Sequence, residues 1–270
     1  MVDFRPSNIL VKLANLDHLS EGEILSLLGQ PTTAQVRTES GEDLPTSSPK
    51  YLVHPTDMSY LDHKYLTEQI CVIDFGESFP ISSPPRDLGI PENYLPPELL
   101  LQLLEEEKNH GEKGKEENEK EEEKEKENVI GPACDLWALG CTLFEIWKQI
   151  PLFYMIYDLD ELLAEMARFF GKLPEEWWNK WEARADYFDN EARWIKPSRT
   201  DAEWLFAVAL NKPSEVFLDD TDDGETTKKV FETPEAEQRV LADLLYKLFR
   251  YEPGERAIVD EVLEHEWFKI

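Results

Sequence analysis

The sequence predicts a mainly α fold with one short β-hairpin near its start. Two short apolar segments typical of strands, residues 9–12 and 70–73, are followed by several longer segments with helical apolar spacing. No internal repeat is visible, so the pattern is not that of a solenoid or a propeller. With 270 residues, the chain is long enough to bury the core of one large domain or two small ones.

The two predicted strands are separated by a long polar segment. The first strand, Ile9–Lys12, comes directly after Asn8. The second, residues 70–73, is a continuous apolar run of the kind found in buried strands, and it ends at Asp74-Phe75-Gly76. The residues between them, 15–66, contain scattered Gly and Pro, so we interpret them as an insertion on the surface.

Capping signals and apolar periodicity predict the helices. Ser20 and Glu23 have the spacing of a capping box, which predicts a short helix over residues 21–28. Asp135–Lys148 is apolar on nearly all faces, which is typical of a helix buried at the centre of a domain. Further helices are predicted to begin at Glu98–Leu104 and to cover Glu161–Phe170 (ended by Gly171), Pro234–Arg250 and Ile258–His265.

Two polar segments lie between these helices. Residues 105–128 are almost entirely Glu and Lys, which predicts an acidic low-complexity insertion, either a solvated helix or a disordered segment. Residues 175–235 are rich in Trp and then polar, with a predicted loop near Asp219–Glu225. The acidic run there resembles the start of a calcium-binding loop. Position twelve would be Val230 rather than a glutamate, so an EF-hand is excluded.

Composition excludes several classes of function. The 57 acidic residues outnumber the 28 basic ones, which argues against nucleic-acid binding through a basic face. The same charge fits a basic protein partner or a solvated acidic surface, and both readings stay open. Three cysteines without zinc spacing indicate a reduced intracellular protein. We expect no secretion signal and no membrane span, because the longest apolar run, Leu136–Trp147, is too short and contains Glu145.

Four side chains beside the predicted strands have the types that phosphoryl transfer needs. Asp3, Arg5 and Asn8 precede the first strand, and Asp74 follows the second. A carboxylate such as Asp3 can accept the proton of a hydroxyl, and a cation such as Arg5 can steady the γ-phosphate. The amide oxygen of Asn8 and the carboxylate of Asp74 can hold Mg²⁺, which prefers hard oxygen ligands. Each motif alone occurs by chance, but their order beside two strands is specific.

Three further motifs follow in the order Pro96-Pro97-Glu98, Asp135-x-Trp137-x-x-Gly140 and Arg256. With the four residues above, they give the chain a resemblance to eukaryotic protein kinases that runs from the catalytic loop to the C-terminus. The resemblance implies a truncated kinase domain over residues 1–270. It also implies a kinase C-lobe with a short β-hairpin at the catalytic loop, an absent N-lobe, and ATP and Mg²⁺ as cofactors.

The resemblance also assigns roles to individual residues. Asp3 matches the catalytic base, and Arg5 takes the place of the motif lysine. Asn8 and Asp74 match the ligands of the nucleotide-bound magnesium. Structural roles are implied at three further positions, namely an ion pair of Glu98 with Arg256 and support of the catalytic loop by Asp135.

Within the kinases, the chain is similar to the SR-protein kinases, especially those of fungi. The features that carry this likeness are the long insertion between Asn8 and Asp74, the stretch 37–42, and the stretch 73–79. The likeness implies phosphorylation of serine in basic Arg/Ser-rich splicing factors, and hence a role in mRNA splicing. It implies a location in cytoplasm and nucleus and no direct contact with nucleic acid or membrane, and it leaves the oligomeric state open.

The sequence departs from the kinase pattern in three places. The Gly-rich loop and strand lysine that bind ATP should precede Asp3, where only two residues stand, and no G-x-G occurs elsewhere. Arg5 is bulkier than the lysine it replaces, and Pro91 replaces a threonine that helps to position the base. Two hypotheses therefore stay open. One is an active kinase represented by a truncated chain, and the other is a non-catalytic, pseudokinase-like fragment that binds a basic protein.

Overall fold

Helices and small antiparallel sheets make up a computed structural model of the chain, which confirms the mainly α fold class. The structure describes residues 3–56, 58, 61–83, 85, 89–112, 130–196, 210–211, 213–220 and 225–269. The chain divides into two compact units. One contains Met1–Asn8 and Asp74–Ile270, and the other contains Ile9–Ile73.

The unit Ile9–Ile73 is built on an antiparallel pair of strands. Strand β1 (Ile9–Leu13) pairs with β4 (Leu66–Val72), and Ile9 lies opposite Val72. This confirms both predicted strands. Helix α1 (Glu21–Leu28) follows β1, and its predicted capping box is confirmed, since Ser20 and Glu23 exchange hydrogen bonds. A second pair of short strands, β2 (Thr33–Gln35) and β3 (Tyr51–Val53), completes the unit.

The expectation that residues 70–73 form a buried strand is wrong. The side chain of Ile70 is 66% exposed, and that of Ile73 is 37% exposed. Strand β4 pairs with β1 alone in the described part of its sheet. A sheet of two strands lacks the second layer that buries an apolar run in a larger sheet.

The larger unit contains the remaining helices. Five of these helices were predicted, and their starts agree with the predicted ones to within three residues, whereas the short helix Glu175–Lys180 was not predicted. The helices are α2 (Pro97–Glu112), α3 (Pro132–Lys148), α4 (Leu159–Phe170), α5 (Glu175–Lys180), α6 (Glu235–Leu248) and α7 (Val259–Leu263). None of the described helices is long and apolar enough to cross a membrane.

Helix α3 lies at the centre of this unit, as its all-round apolar pattern predicts. The ring of Trp137 is fully buried and contacts the rings of Phe153, Phe170 and Phe249. Gly140 lies one turn further along, where a Cβ atom would come within 2.8 Å of the Phe249 ring. The close approach of α6 to α3 therefore depends on a glycine at this position.

Two paired strands that the sequence does not predict lie before and after residues 221–224, the part of the predicted loop that is outside the described residues. Strand β5 (Ser214–Asp220) pairs antiparallel with β6 (Glu225–Phe231). Their residues are mostly polar, so no strand-like apolar alternation marks them. The predicted acidic insertion, 105–128, begins as a continuation of α2 to Glu112, and its residues from 113 on lie outside the described residues.

Candidate active site

A tight turn at the start of the chain gathers three of the predicted site residues. The backbone N–H of Asn8 donates to the carbonyl of Arg5 at 2.9 Å, which closes a short 3₁₀ turn over Pro6–Asn8. This turn places the Asn8 amide Nδ2 2.8 Å from the carbonyl oxygen of Asp3 and 3.2 Å from its Oδ2. Arg5 Nε donates to the same Oδ2 at 3.0 Å.

The Asp3 carboxylate is buried and only half satisfied. The residue is 3% exposed, and Oδ2 accepts the hydrogen bonds of Asn8 and Arg5. Its other oxygen, Oδ1, is buried without a hydrogen-bond partner in the described part of the chain. A buried carboxylate oxygen is normally satisfied, because desolvating it without a partner is costly. The site thus keeps one acceptor available while the other oxygen fixes its orientation.

Helix α3 supports this turn from a residue that the sequence analysis missed. Thr142, fully buried in α3, donates from Oγ1 to the carbonyl of Phe4 at 2.9 Å. Tyr94 donates its phenol to Glu145 one turn further along the same helix. Burial, with this hydrogen bond, raises the pKa of Tyr94 above its usual value. The hydroxyl of Thr142 and the carboxylate of Glu145 are polar groups in a mainly apolar helix, and this is the signal that could have identified these two residues.

Asp74 lies exposed just after β4 in an unusual backbone conformation. Its φ of 62° is in the left-handed region, which few residues other than glycine adopt. The N–H of Ser78 donates to the carbonyl of Phe75 at 3.0 Å, so a turn follows directly. In the described part of the chain, no hydrogen bond joins Asp74 to Asp3 or Asn8. The structure therefore gathers Asp3, Arg5 and Asn8, and leaves Asp74 in the same unit but apart from their network.

The oxygen donors of Asn8 and Asp74 are of the chemical type that Mg²⁺ prefers. An amide and a carboxylate are hard ligands, and Mg²⁺ is commonly held by one or two such groups together with phosphate oxygens and waters. Among the described residues, no cluster of three His, Cys, Asp or Glu side chains offers an all-protein metal site. A site built on these two residues would thus share its ion with a phosphate ligand.

Glu98 and Arg256 form the buried ion pair that the kinase resemblance implies. The Arg256 Nη1 and Nη2 atoms each lie 2.6 Å from a Glu98 carboxylate oxygen. The remaining three N–H groups donate to the carbonyls of Ala133, Arg250 and Tyr251 at 2.8–3.0 Å. All five donors of the guanidinium are thereby satisfied, as burial of an arginine requires.

Asp135 lies half-buried in the first turn of α3, one residue after Cys134. Its predicted role, support of the catalytic loop, stays a prediction. A hydrogen bond from α3 to that loop comes from Thr142, two turns further along the helix. The start of α3 is tied instead to the Glu98–Arg256 pair through the carbonyl of Ala133.

A cavity of about 560 Å³ lies next to residues 89–93, directly before Tyr94, in the larger unit. Residues 89–93 form one wall, and the opposite wall contains Phe153, Met155, Ile156 and Leu162. Polar and apolar groups contribute about equally to the lining, and Glu92 is one of the lining residues.

Comparisons with known proteins identify kinases as relatives of part of this chain. No family model matches it. It is 35% identical over 139 residues to the serine/threonine-protein kinase AFC3 of Arabidopsis thaliana, which covers 50% of this chain and 31% of that protein. It is 27% identical over 137 residues to the dual specificity protein kinase CLK4 of Homo sapiens, which covers 51% of this chain and 25% of that protein. It is 28% identical over 140 residues to the serine/threonine-protein kinase Doa of Drosophila melanogaster, which covers 50% of this chain and 15% of that protein.

The chain thus spans about a third or less of the length of these relatives. Their names are those of serine/threonine and dual-specificity kinases. Over the half of its length that aligns, the chain is similar to them, and this supports its place among the eukaryotic protein kinases.

Proposed function

We propose that this chain carries the catalytic loop of a serine/threonine protein kinase of the SR-protein-kinase type. The observation that carries the proposal is the buried Asp3 carboxylate, which is oriented through Oδ2 and whose Oδ1 has no partner within the described part of the chain. A general base needs this combination of a fixed orientation and a free acceptor. The kinase relatives support the same reaction class.

Each residue of the turn has a task in the proposed transfer. Asp3 Oδ1 would accept the proton of the serine hydroxyl as the serine oxygen bonds to the γ-phosphorus of ATP, while the bond from that phosphorus to the β,γ-bridging oxygen breaks and ADP leaves. Arg5 uses Nε to hold Asp3, so its terminal nitrogens can face a phosphate. Asn8 and Asp74 would hold Mg²⁺, and the bound magnesium nucleotide would supply the phosphoryl group.

The proposed substrate is a basic, Arg/Ser-rich protein. The chain has a formal net charge of −29, which favours association with cationic partners. The groove that residues 89–93 line, which includes Glu92, offers a place for such a peptide. A role in mRNA splicing and a location in cytoplasm and nucleus follow from this substrate class and are part of the proposal.

The direct test is phosphate transfer from ATP to an Arg/Ser peptide by the chain. Asp3→Asn removes the proton acceptor while it keeps the side-chain shape, so transfer should fall about 100- to 10,000-fold. Asp260→Asn changes an exposed aspartate of α7 in the same way and should leave the rate unchanged. A rate that survives Asp3→Asn would contradict the assignment of the base.

The second candidate function is a non-catalytic module that binds a basic partner. The acidic charge favours it, because binding a cationic protein needs no bound nucleotide. Thermal stability in the presence of ATP and Mg²⁺ separates the two functions. The kinase proposal expects a magnesium-dependent rise of Tm that Asp74→Ala abolishes, whereas the binding module expects no rise in either protein.

A further inference from the structure

The carboxylate of Glu77 lies directly against the backbone of Gly89. Glu77 Oε2 accepts the N–H of Gly89 at 3.0 Å, across twelve positions of sequence. A Cβ atom added to Gly89 would lie 2.7 Å from Glu77 Oε1 and 2.9 Å from its Cδ. Real Cβ atoms do not come so close to other atoms. The contact therefore depends on both partners, an acid at position 77 and a residue without a side chain at position 89.

The two residues belong to different parts of the candidate site. Glu77 lies in the turn that follows Asp74, and this turn is closed by the hydrogen bond between Ser78 and Phe75. Gly89 is the first residue of the groove wall formed by residues 89–93. The hydrogen bond between Glu77 and Gly89 thus connects the segment that carries the predicted magnesium ligand to the wall of the groove.

We propose that Glu77 is a positioning residue that holds the groove wall, residues 89–93, in a fixed position relative to Asp74. The proposal rests on the proposed kinase function, since it assumes that the groove receives the peptide substrate. The carboxylate holds the wall by accepting the N–H of Gly89, a contact for which an acceptor oxygen at this position is sufficient.

Three variants distinguish positioning from mere local stability. Glu77→Ala removes the acceptor. Gly89→Ala keeps Glu77 but forces its carboxylate away, and no backbone strain is added because Gly89 is not in the left-handed region. Glu77→Gln keeps an acceptor oxygen at the same reach and should rescue the contact. Glu232→Ala, which removes an exposed carboxylate of the same unit, is the matched control.

Hydrogen exchange at the Gly89 amide reports whether the contact exists in solution. Exchange should become about tenfold faster in Glu77→Ala and Gly89→Ala and stay unchanged in Glu77→Gln and Glu232→Ala. Affinity for a fluorescent Arg/Ser peptide reports positioning. Its Kd, and the peptide KM of transfer, should rise about 5- to 10-fold in the first two variants, while the KM for ATP stays constant.

Two results would overturn the proposal. Unchanged exchange at Gly89 in Glu77→Ala would show that the contact does not protect the amide. Faster exchange with an unchanged peptide Kd would show a hydrogen bond that stabilises the segment without positioning substrate. Failure of the kinase function itself would appear elsewhere, as absent phosphate transfer by the unaltered chain, while the exchange and peptide Kd measurements still decide the role of Glu77.

Discussion

At the scale of single residues, Asp3 and Arg256 show two ways of burying a charge. Arg256 has an acceptor for each of its five donors, including both oxygens of Glu98, so its charge is fully compensated. Asp3 is as deeply buried, but its Oδ1 has no hydrogen-bond partner among the residues that the structure describes. The first arrangement is that of a structural ion pair, and the second is the one on which the proposed role of Asp3 as a base rests.

Removal of one partner from the buried ion pair should strongly destabilise the larger unit. Arg256→Met leaves the Glu98 carboxylate buried without its counter-charge, which should lower the free energy of unfolding by about 3–5 kcal/mol. Arg239→Met removes an exposed arginine that pairs with Glu235, and this substitution should change the free energy of unfolding by less than about 1 kcal/mol. Urea denaturation of both variants measures the difference. Equal destabilisation by the two substitutions would contradict the structural role of Arg256.

The cysteines should differ sharply in reactivity. Cys71 is exposed, whereas burial raises the pKa of Cys134 to about 12 and that of Cys141 still further from its usual value. Alkylation at pH 8 followed by peptide mapping should modify Cys71 quickly and the other two only after unfolding. Because the folded-state pKa of Cys134 is raised, its thiol contributes stability below its ordinary pKa of 9.0 that is lost as pH rises towards 12. Rapid modification of Cys134 in the folded protein would contradict its burial.

The sequence alone predicted those site residues that local structure brings together. Asp3, Arg5 and Asn8 fall within one turn, so their spacing already places them side by side. Thr142 and Glu145 lie more than a hundred positions away in the chain, and only the folded structure shows that α3 lies under the turn. The roles assigned to Asp74 and Asp135 by resemblance stay predictions.

At the scale of elements, α3 was predictable and the sheets were less so. A helix that is apolar on all sides belongs in the interior of a domain, and Trp137 of α3 is fully buried. The capping box of α1 is equally local, so Ser20 and Glu23 predicted it correctly. Whether Ile70 is buried, and whether β5 pairs with β6, depends on which elements lie beside each strand. A sequence pattern does not contain that information.

The contact between α3 and α6 gives a test at the scale of elements. In an exposed helix, Gly→Ala stabilises by up to about 1 kcal/mol, and Gly22→Ala in α1, with no atom within 4 Å of the new Cβ, should show this gain. In α3, the Cβ of Gly140→Ala would lie 2.8 Å from Phe249 and 3.3 Å from Leu248. The clash should outweigh propensity and destabilise by roughly 1–3 kcal/mol.

Urea denaturation, followed by tryptophan fluorescence for α3 and by hydrogen exchange for α1, measures both effects. Gly140→Ala should lower the midpoint, and Gly22→Ala should slow exchange of the α1 amides. A stabilising Gly140→Ala would mean that α6 does not approach α3 as closely as the structure shows.

At the scale of the whole molecule, the charge opposes folding. A formal net charge of −29 repels itself in any compact state, and salt screens this repulsion over a Debye length of about 8 Å at physiological ionic strength. We expect Tm to rise on the order of 2–4 °C between low salt and about 0.5 M NaCl. Sodium chloride is preferable to sulfate, which strengthens apolar burial by itself. A Tm that falls with added NaCl would show that ion pairs outweigh the repulsion.

The antiparallel pairing of β1 with β4 also bears on how such a chain can change over generations. Residues 9–73 form a unit of their own, and within it Ile9 lies opposite Val72 in the antiparallel pair. The entropy of closing a loop grows only with the logarithm of its length. Codons can therefore be gained or lost between β1 and β4 at little thermodynamic cost, so the number of codons between Asn8 and Asp74 can vary while the pairing of Ile9 with Val72 is kept.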